Sequence, residues 1–184
     1  SKLFVISGPS GAGKGTLVPR VRERRSNLGL TVSATTRAPR KGEVDGVNYF
    51  FLTREEFDRR VANGEFVEWA EVHGNCYGTL VSEVQSKLAS GSSLILEIDV
   101  QGALQVKERF PEAVLIFIKP PSLEVLRERL VGRGTETPET VELRMANAAD
   151  ELALADRYDD VVVNDDLDRA TDELVRVLDM HERI

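Results

Sequence analysis

A phosphate-binding loop is predicted near the start of the chain by the glycine and lysine spacing in GPSGAGK, from Gly8 to Lys14. Glycines let the backbone curl so that successive N–H groups point at an anion, and the helix that follows contributes its positive end. Lys14 would add a point charge at the phosphoryl group. The pattern indicates a nucleotide site formed by Gly8, Ser10, Gly11, Ala12, Gly13, Lys14, Gly15 and Thr16.

One position departs from the usual form of this loop. A serine or threonine normally follows the lysine and meets Mg²⁺, but Gly15 follows Lys14 and the hydroxyl comes one residue later, at Thr16. Mg²⁺ keeps several waters in its shell, so Thr16 could reach the metal directly or through water. The sequence leaves direct ligation of Mg²⁺ by Thr16 open.

Two groups of arginines have the chemistry that phosphoryl transfer needs, since a planar guanidinium binds two phosphate oxygens at once. Arg37 and Arg40 lie in a turn-like stretch. The second group flanks a glycine-containing linker, 132–137, that we interpret as part of a moving lid, and consists of Arg129, Arg133 and Arg144. Any one of these arginines alone would more often be solvated surface charge.

A further run of arginines has a simpler interpretation. Arg20, Arg22, Arg24 and Arg25 alternate with Glu23 at the far end of the first predicted helix. We predict that they form a solvated helix face, and we assign them no role.

The elements that must position these residues alternate between strand and helix. Predicted strands are 2–7, 30–34, 49–52, 66–72, 93–99, 113–118 and 160–163, and predicted helices are 14–28, 53–63, 82–90, 102–109, 122–131, 138–158 and 167–183. This alternation favours a parallel sheet wrapped by helices. Nearly continuous apolar runs predict strands buried on both faces at 3–6, 94–98, 114–118 and 161–163. Turn residues between positions 33 and 77 suggest a small antiparallel insertion.

Composition excludes several classes of protein. The 184 residues carry a net charge of −7, one cysteine and two histidines. They suffice for one domain with its own core, and no apolar run approaches the roughly 20 residues that cross a bilayer. The histidines and the cysteine offer no zinc spacing, and the negative charge disfavours nucleic acid. We therefore expect a cytoplasmic protein with small-molecule partners, and no nucleic acid, membrane or obligate protein partner.

Eight segments, taken in chain order, resemble the guanylate kinase family, whose members move a phosphoryl group from ATP to GMP. They are GPSGAGKGT at 8–16, SATTRAPR at 33–40, GVNYFF at 46–51, EWAEVHGN at 68–75, YGT at 77–79, DVQG at 99–102, RGTE at 133–136 and VNDD at 163–166. The resemblance spans essentially the whole chain. SATTR and YGT are much more specific than the phosphate loop alone.

The resemblance implies an α/β fold with a P-loop NTPase core of parallel sheet and helices, a small antiparallel GMP-binding insertion and a helical lid. The core would comprise 1–31, 81–124 and 155–184, the GMP-binding region 32–80, and the lid 125–154. All would belong to one guanylate-kinase-like domain.

The resemblance also implies roles for individual residues. The GMP phosphate would be held by Arg37, Arg40, Tyr49 and Tyr77. Glu68 would accept the ring N–H and amine of guanine, with Ser33, Thr79 and Asp99 around it. Asp99 ends a buried strand, where a Mg²⁺-associated acid would also lie, so its role stays open between guanine and metal.

The resemblance also implies which residues bind ATP. Arg129, Arg133 and Arg144 would close over the ATP phosphates, and Asn164 would lie beside the adenine. The catalytic residues implied are Lys14, Arg37, Arg133 and Arg144, acting with Mg²⁺. No protein nucleophile is needed, because the phosphate of GMP, and by extension of dGMP, attacks in line.

Three other functions compete with this interpretation. A kinase for another nucleotide or for a ribose bisphosphate would share the loop and lid, but Glu68 with Ser33 and Thr79 favours guanine. A non-catalytic guanylate-kinase-like module of scaffold proteins usually has an eroded loop, whereas Lys14 is present here. A regulatory GTPase would need an Asn-Lys-x-Asp motif, which is absent.

Overall fold

The computed structural model describes residues 1–134 and 136–183. The strands are β1 Leu3–Ser7, β2 Gly29–Leu30, β3 Ala34–Thr35, β4 Phe50–Phe51, β5 Phe66–Val72, β6 Asn75–Leu80, β7 Leu94–Glu97, β8 Val114–Lys119 and β9 Asp160–Val163. The helices are α1 Lys14–Arg24, α2 Arg54–Ala62, α3 Val81–Ala89, α4 Val100–Arg109, α5 Leu123–Gly132, α6 Pro138–Leu152 and α7 Leu167–Glu182, with a 3₁₀ turn at Ala155–Arg157. None of the helices in these two ranges is both long and apolar enough to cross a membrane.

A five-stranded parallel sheet in the order β2-β7-β1-β8-β9 forms the centre of the fold. Side chains alternate between its faces, so Phe4 and Ile6 of β1 pack with α1 and α7, whereas Leu3 and Val5 pack on the side of α3 and α4. All five residues of β1 are buried. The parallel arrangement brings the carboxyl ends of β1, β7, β8 and β9 to one edge, where ligands of open α/β sheets bind.

A second, four-stranded sheet in the order β4-β3-β6-β5 follows β2. Pairs β3-β6 and β5-β6 are antiparallel, as predicted for the insertion, while the two-residue pair β3-β4 is parallel. Helix α2 closes its small core through Phe57, which packs on Phe66 at 4.4 Å between ring centroids. Thr53 caps α2 by accepting from the Glu56 N–H at 3.1 Å, in agreement with the capping pattern of the sequence.

The predicted strand 30–34 is wrong, because the chain leaves one sheet and enters the other within it. Leu30 ends β2, and Ala34 begins β3. Between them the Val32 N–H donates to Glu83 Oε1 of α3 at 3.1 Å. Strand β6 was not predicted, since the turn residues Gly74 and Asn75 and the glycine at 78 obscure its pattern. Gly78 is required there, because a Cβ would lie 2.8 Å from the Glu68 carbonyl oxygen.

Two predicted helices are too long and one predicted strand is too buried. Helix α1 ends at Arg24 instead of residue 28, and α6 ends at Leu152 instead of residue 158. The strand 161–163 was predicted to be covered on both faces, but Val161 is 41% exposed. The reason is that β9 is an edge strand of the central sheet.

The predicted solvated arginine face is wrong for Arg25, whose side chain is 16% exposed, and for the buried Nε of Arg22, whereas Arg20 and Arg24 remain 43% and 48% exposed and also form ion pairs. Arg20 pairs with Asp168, Arg24 with Asp172, and Arg25 with both Asp179 and Glu182, all on α7. Arg22 makes none of these bonds, and its buried Nε has no hydrogen-bond partner in the structure. The basic face of α1 therefore joins the first helix to the last.

Candidate nucleotide-binding and phosphoryl-transfer site

The glycine-rich loop joins β1 to α1 at the ligand-binding edge of the central sheet. Gly13 is the N-cap of α1 and has φ +96°, which favours glycine, and a Cβ there would lie 2.2 Å from Asn164 Nδ2. A Cβ at Gly8 would lie 2.3 Å from the Ile118 carbonyl oxygen of β8. The loop therefore fits against the neighbouring strands only with glycine at these two positions.

Lys14 turns back into this loop. Its Nζ donates to the Gly8 carbonyl oxygen at 2.6 Å. Burial lowers the pKa of Lys14, while the negative charges of Glu97, Glu151 and Asp99 oppose that shift. A cavity of about 400 Å³ opens in front of the lysine and is lined by Gly8, Pro9, Ser10, Gly11, Gly13, Lys14, Gly15, Thr16, Asp99, Arg133 and Glu151. The arrangement can receive an anionic group within reach of one ammonium group and the start of a helix.

Arg129 and Asn164 hold the loop through its carbonyl groups. Arg129 Nη1 lies 3.4 Å from the carbonyl oxygens of Gly11 and Ala12, and its Nη2 donates to the Asn164 carbonyl oxygen at 2.8 Å. Asn164 Nδ2 donates to the Ala12 carbonyl oxygen at 2.9 Å. In the structure these two side chains fix the shape of the loop, a role that the sequence did not indicate.

The lid arginines reach the same loop. Arg144 of α6 donates from Nη1 to Ser10 Oγ at 2.6 Å, and its Nε lies 3.2 Å from Glu136 Oε2. Arg133, which follows α5, lines the loop cavity. Thr135, part of the RGTE segment, lies outside the described residues. The structure thus brings Arg133, at the end of α5, and Arg144, on α6, to the loop.

The arginine and tyrosine residues assigned to the acceptor phosphate gather at one end of the second sheet. The Arg37 guanidinium lies over the Tyr49 ring at 5.2 Å, and the Tyr49 and Tyr77 rings meet edge to face at 6.2 Å. Glu43, which the sequence analysis missed, receives two hydrogen bonds from Arg37, each 3.0 Å long. Hydrogen bonding to Glu43 raises the pKa of Arg37 above its ordinary value. The Arg40 side chain is exposed beside this group.

Glu68 and Thr79 face each other across the antiparallel pair β5-β6. Their backbones pair directly, after a bulge between Phe66 and Glu68, and Thr79 Oγ1 donates to Glu68 Oε1 at 2.8 Å. Burial raises the pKa of Glu68, and the nearby Asp99 charge adds to the rise, while the Thr79 hydrogen bond opposes it. Ser33 directly precedes β3, whose first residue pairs next to Thr79. A half-buried carboxylate and a hydroxyl therefore face each other across this sheet, and Ser33 lies at the start of the neighbouring strand.

Asp99 lies between the Lys14 loop and the Glu68 side chain. It caps α4 by accepting from the Gly102 N–H at 2.7 Å, and it lines both the loop cavity and a neighbouring cavity of about 330 Å³. Glu151 of α6, also missed by the sequence analysis, lines both cavities too, and burial raises its pKa. No sequence signal distinguished Glu151 from the other acids of its helix. Asp99 faces the loop on one side and the charge of Glu68 on the other, so its position is compatible with either open role.

No group of three or more histidine, cysteine, aspartate or glutamate side chains within 1–134 and 136–183 is arranged to hold a metal ion. Mg²⁺ in nucleotide sites is usually held by one or two protein oxygens, several waters and the phosphates themselves. Thr16 at the start of α1 and Asp99 across the cavity are oxygen donors of this kind. The residues present fit a phosphate-held Mg²⁺ better than a protein-held metal.

Comparisons with known proteins identify the family of the chain. The family model described as guanylate kinase matches residues 1–181. The chain is 56% identical over 178 residues to a guanylate kinase of Gloeobacter violaceus, covering 97% of this chain and 87% of the relative. It is 53% identical to the guanylate kinase of Halalkalibacterium halodurans, covering 96% and 86%. The crystal structure of guanylate kinase from Anaplasma phagocytophilum superimposes with a TM-score of 0.70 at 38% identity, covering 98% of this chain and 85% of that one. The chain therefore belongs to the guanylate kinase family of enzymes.

Proposed function

We propose that this protein transfers the γ-phosphoryl group of ATP to GMP, and also to dGMP, forming ADP and the guanosine diphosphate for purine nucleotide metabolism. The observation that carries the proposal is the half-buried Glu68, hydrogen-bonded by Thr79 on the sheet that lies across Asp99 from the Lys14 loop. Family membership supports the general reaction. In this proposal the core is 1–31, 81–124 and 155–184, the acceptor region is 32–80, and the lid is 125–154.

Glu68 is the proposed guanine-reading group. An ionised carboxylate accepts hydrogen bonds from both the ring N–H and the exocyclic amine of guanine, while Thr79 and Ser33 complete the polar edge. A base without two adjacent donors would leave this half-buried carboxylate with the Thr79 hydrogen bond but without the two donors of guanine, which is costly. Adenine, cytosine and uracil lack that pair of donors in the required arrangement. The site should therefore reject their monophosphates.

The acceptor phosphate is proposed to bind Arg37 and Arg40 together with Tyr49 and Tyr77. The rings of Tyr49 and Tyr77 lie beside Arg37 on the face of the second sheet, which supports a shared task. Side chains two residues apart on a strand share a face, so Tyr77 and Thr79 of β6 look toward the same space. Phosphate and guanine would then lie on one surface of this sheet.

Transfer itself would need alignment and charge rather than a protein nucleophile. An oxygen of the GMP phosphate attacks the γ-phosphorus of ATP, the bond from that phosphorus to the β–γ bridging oxygen breaks, and ADP leaves. We propose that Lys14, Arg133 and Arg144 hold the migrating group on the donor side and that Arg37 does so on the acceptor side. Arg129 and Asn164 act on ATP through the loop they shape. Closure of the lid excludes water, which would otherwise hydrolyse ATP.

Mg²⁺ is the proposed cofactor, and Thr16 and Asp99 are the residues that would hold it or its water shell. When bound, it neutralises phosphate charge. We assign no side chain in the described ranges to the ribose 2′-hydroxyl, which is why dGMP is included as an acceptor. The single cysteine fits a reducing compartment, and we infer a cytoplasmic location from it.

The test is ADP production from MgATP with GMP, dGMP, AMP, CMP, UMP and ribose 1,5-bisphosphate offered separately. Turnover confined to GMP and dGMP is expected. Glu68→Ala should lower kcat/KM for GMP by about a hundredfold or more while KM for ATP changes little. Turnover with another acceptor would remove the guanine assignment, and equal loss for GMP and ATP would contradict the role of Glu68.

A further inference from the structure

Tyr158 connects the segment after α6 to the strand that leads into the phosphate loop. Its hydroxyl donates to Ser7 Oγ at 3.0 Å. Both side chains are buried, with Tyr158 8% exposed and Ser7 0% exposed. Ser7 is the last residue of β1, and it is followed directly by Gly8, whose carbonyl oxygen accepts from Lys14. The hydrogen bond therefore fixes the point at which the loop begins.

The Tyr158 ring has a fixed position against the central sheet. It packs edge to face on Phe117, with 5.0 Å between the ring centroids. Phe117 of β8 is also the residue that pairs with Ser7 of β1 in the register of the sheet. Burial raises the pKa of Tyr158, so its hydroxyl keeps its proton at neutral pH and can donate. Ring and hydroxyl thus contact two residues that are neighbours across the strands.

The end of helix α6 is fixed next to this contact. Leu152, Leu154 and Ala155 pack against the apolar cluster that contains Tyr158. Backbone hydrogen bonds continue through the 3₁₀ turn, from the Leu154 N–H to the Glu151 carbonyl oxygen and from the Tyr158 N–H to the Ala155 carbonyl oxygen, both 3.0 Å long. Any movement of α6 relative to the sheet must therefore bend the chain before this packed end.

Helix α6 and the turn after it contact the phosphate-loop segment at two places. Arg144 Nη1 donates to Ser10 Oγ at 2.6 Å, and beyond the helix end Tyr158 contacts Ser7. Because a helix rises ~1.5 Å per residue, Arg144 lies about 12 Å from Leu152 along α6. A small tilt at the packed end is therefore enlarged at the guanidinium. The two contacts together set the direction of the helix relative to the loop.

We propose that Tyr158 is a positioning residue that, through its hydrogen bond to Ser7, aligns α6 and its Arg144 with the phosphate loop. Among the described residues, the lining of the loop cavity includes neither Ser7 nor Tyr158, so the pair acts through other groups. This inference rests on the proposed function, in which Arg144 holds the migrating phosphoryl group. A misplacement of about 1 Å in an aligned site can slow a reaction by about a hundredfold.

The experiment compares Tyr158→Phe with the matched control Thr171→Val. Each substitution removes one buried hydroxyl and one hydrogen bond, since Thr171 is 3% exposed and donates to the Leu167 carbonyl oxygen within α7. Both variants should therefore lose some stability in urea unfolding. Single-turnover rates with excess GMP give the rate constant of phosphoryl transfer, and steady-state rates give KM for ATP and for GMP.

Tyr158→Phe should lower the transfer rate constant about tenfold and raise KM for ATP about threefold, because Arg144 is misaligned on the donor side. KM for GMP should not change, since the acceptor residues lie on the second sheet. Thr171→Val should match the wild type in all three quantities. An unchanged transfer rate in Tyr158→Phe, an equal rise in both KM values, or the same kinetic losses in Thr171→Val would each overturn the inference.

Substitutions at Ser7 and Arg144 test the route by which Tyr158 acts. Ser7→Ala should reproduce the kinetic losses of Tyr158→Phe, and the two substitutions together should lose no more than either alone. In Arg144→Ala protein, Tyr158→Phe should change the transfer rate constant by less than about twofold, because the aligned group is already absent. Fully additive losses in either pair would contradict the proposed alignment.

Failure of the proposed function would give a different result. Wild-type protein that binds MgATP without phosphorylating GMP would refute that function and leave the role of Tyr158 to calorimetric affinities for MgATP. Weaker binding by Tyr158→Phe, with Thr171→Val equal to the wild type, would then support the alignment of α6. Unchanged or tighter binding would refute it, and wild-type protein that does not bind MgATP would refute both proposals.

Discussion

Glu68 illustrates how a single residue can be costly to the fold and useful to the site. Its burial disfavours the charged form and raises its pKa above the ordinary 4.5, and the Asp99 charge acts in the same direction. Thr79 partly compensates through one hydrogen bond. The two N–H donors of guanine would supply the remaining hydrogen bonds to the carboxylate. Binding of guanine would therefore stabilise the same charge that discriminates against other bases.

A pH profile tests this interpretation of Glu68. Because its pKa is raised, lowering the pH should protonate Glu68, and so weaken GMP binding, at a higher pH than for an ordinary glutamate. Thr79→Val removes the hydrogen bond that holds this pKa down, so the acid limb of kcat/KM for GMP should move to higher pH, with about a tenfold loss at neutral pH. The phosphate of GMP itself titrates at about pH 6 with both proteins, so only the difference between the profiles is informative. An unmoved limb, or one at lower pH, would contradict the prediction.

Lys14 carries the most direct prediction for the chemical step. Its ammonium is partly desolvated in the loop, as the lowered pKa indicates, and it would face the transferred group. Lys14→Ala should reduce kcat by on the order of a thousandfold, the scale for removing one charge-stabilising group from a transition state. The thermal unfolding temperature should be nearly unchanged, because the substitution removes a partly desolvated charge and no apolar side chain of the core. The exposed Lys87→Ala is the control, and near-normal turnover in folded Lys14→Ala protein would refute the mechanism.

At the scale of elements, the loop between β1 and α1 depends on its close fit against β8 and the end of β9. Gly13 approaches Asn164, and Arg129 spans the same region from α5. The loop is therefore shaped by residues more than a hundred positions away. Its backbone geometry is a property of the assembled sheet edge as much as of its own glycines.

Two glycine variants separate backbone strain from this contact. Gly13 and Gly91 have similar φ values, +96° and +91°, but a Cβ at Gly91 meets nothing within 4 Å. Gly91→Ala should cost about 1 kcal/mol in unfolding free energy through strain alone. Gly13→Ala carries the same strain and a contact with Asn164, so it should also lower kcat/KM for ATP about a hundredfold. The measurements are urea unfolding and initial rates, and equal kinetic effects of the two variants would show that the Asn164 contact is unimportant.

At the scale of the whole molecule, α4, which Asp99 caps, packs against β5 of the second sheet, and the first and last helices pack together on one face of the larger sheet. The α1–α7 pair buries Leu17, Val21 and Leu174 and is bordered by the arginine–carboxylate pairs. This arrangement places residues near both ends of the described chain behind the phosphate loop. Its apolar contacts cover one face of the sheet, while the first turn of α1, with Lys14, belongs to the site.

The ion pairs between α1 and α7 should differ in their contribution to stability. The Arg25 side chain is 16% exposed and pairs with both Asp179 and Glu182, whereas Arg20 is 43% exposed and pairs with Asp168, which is 85% exposed. Arg25→Ala should lower the free energy of unfolding by about 1–2 kcal/mol, and Arg20→Ala by less than about 0.5 kcal/mol. Urea denaturation gives both values, and kinase rates should not change. Equal losses in the two variants would contradict this ranking.

The sequence by itself determined the residue types that carry the chemistry and the order of most elements. The phosphate loop, the capping of α2 and the strand of apolar residues 114–118 are all local patterns, because loop conformation, caps and periodicity depend on neighbours within a few positions. The family resemblance rested on segments of the same kind.

Only the tertiary structure decided which of those residues meet. The Glu68–Thr79 hydrogen bond depends on a strand register that contains a bulge. Arg129 contacts the phosphate loop from α5, which is distant in sequence. The chain also leaves one sheet and enters the other between Leu30 and Ala34. The Arg37–Glu43 pair is close in sequence, yet its bidentate geometry depends on the turn and on the ring of Tyr49 beneath it. Such pairings are set by register, burial and side-chain direction, which periodicity and residue type do not encode.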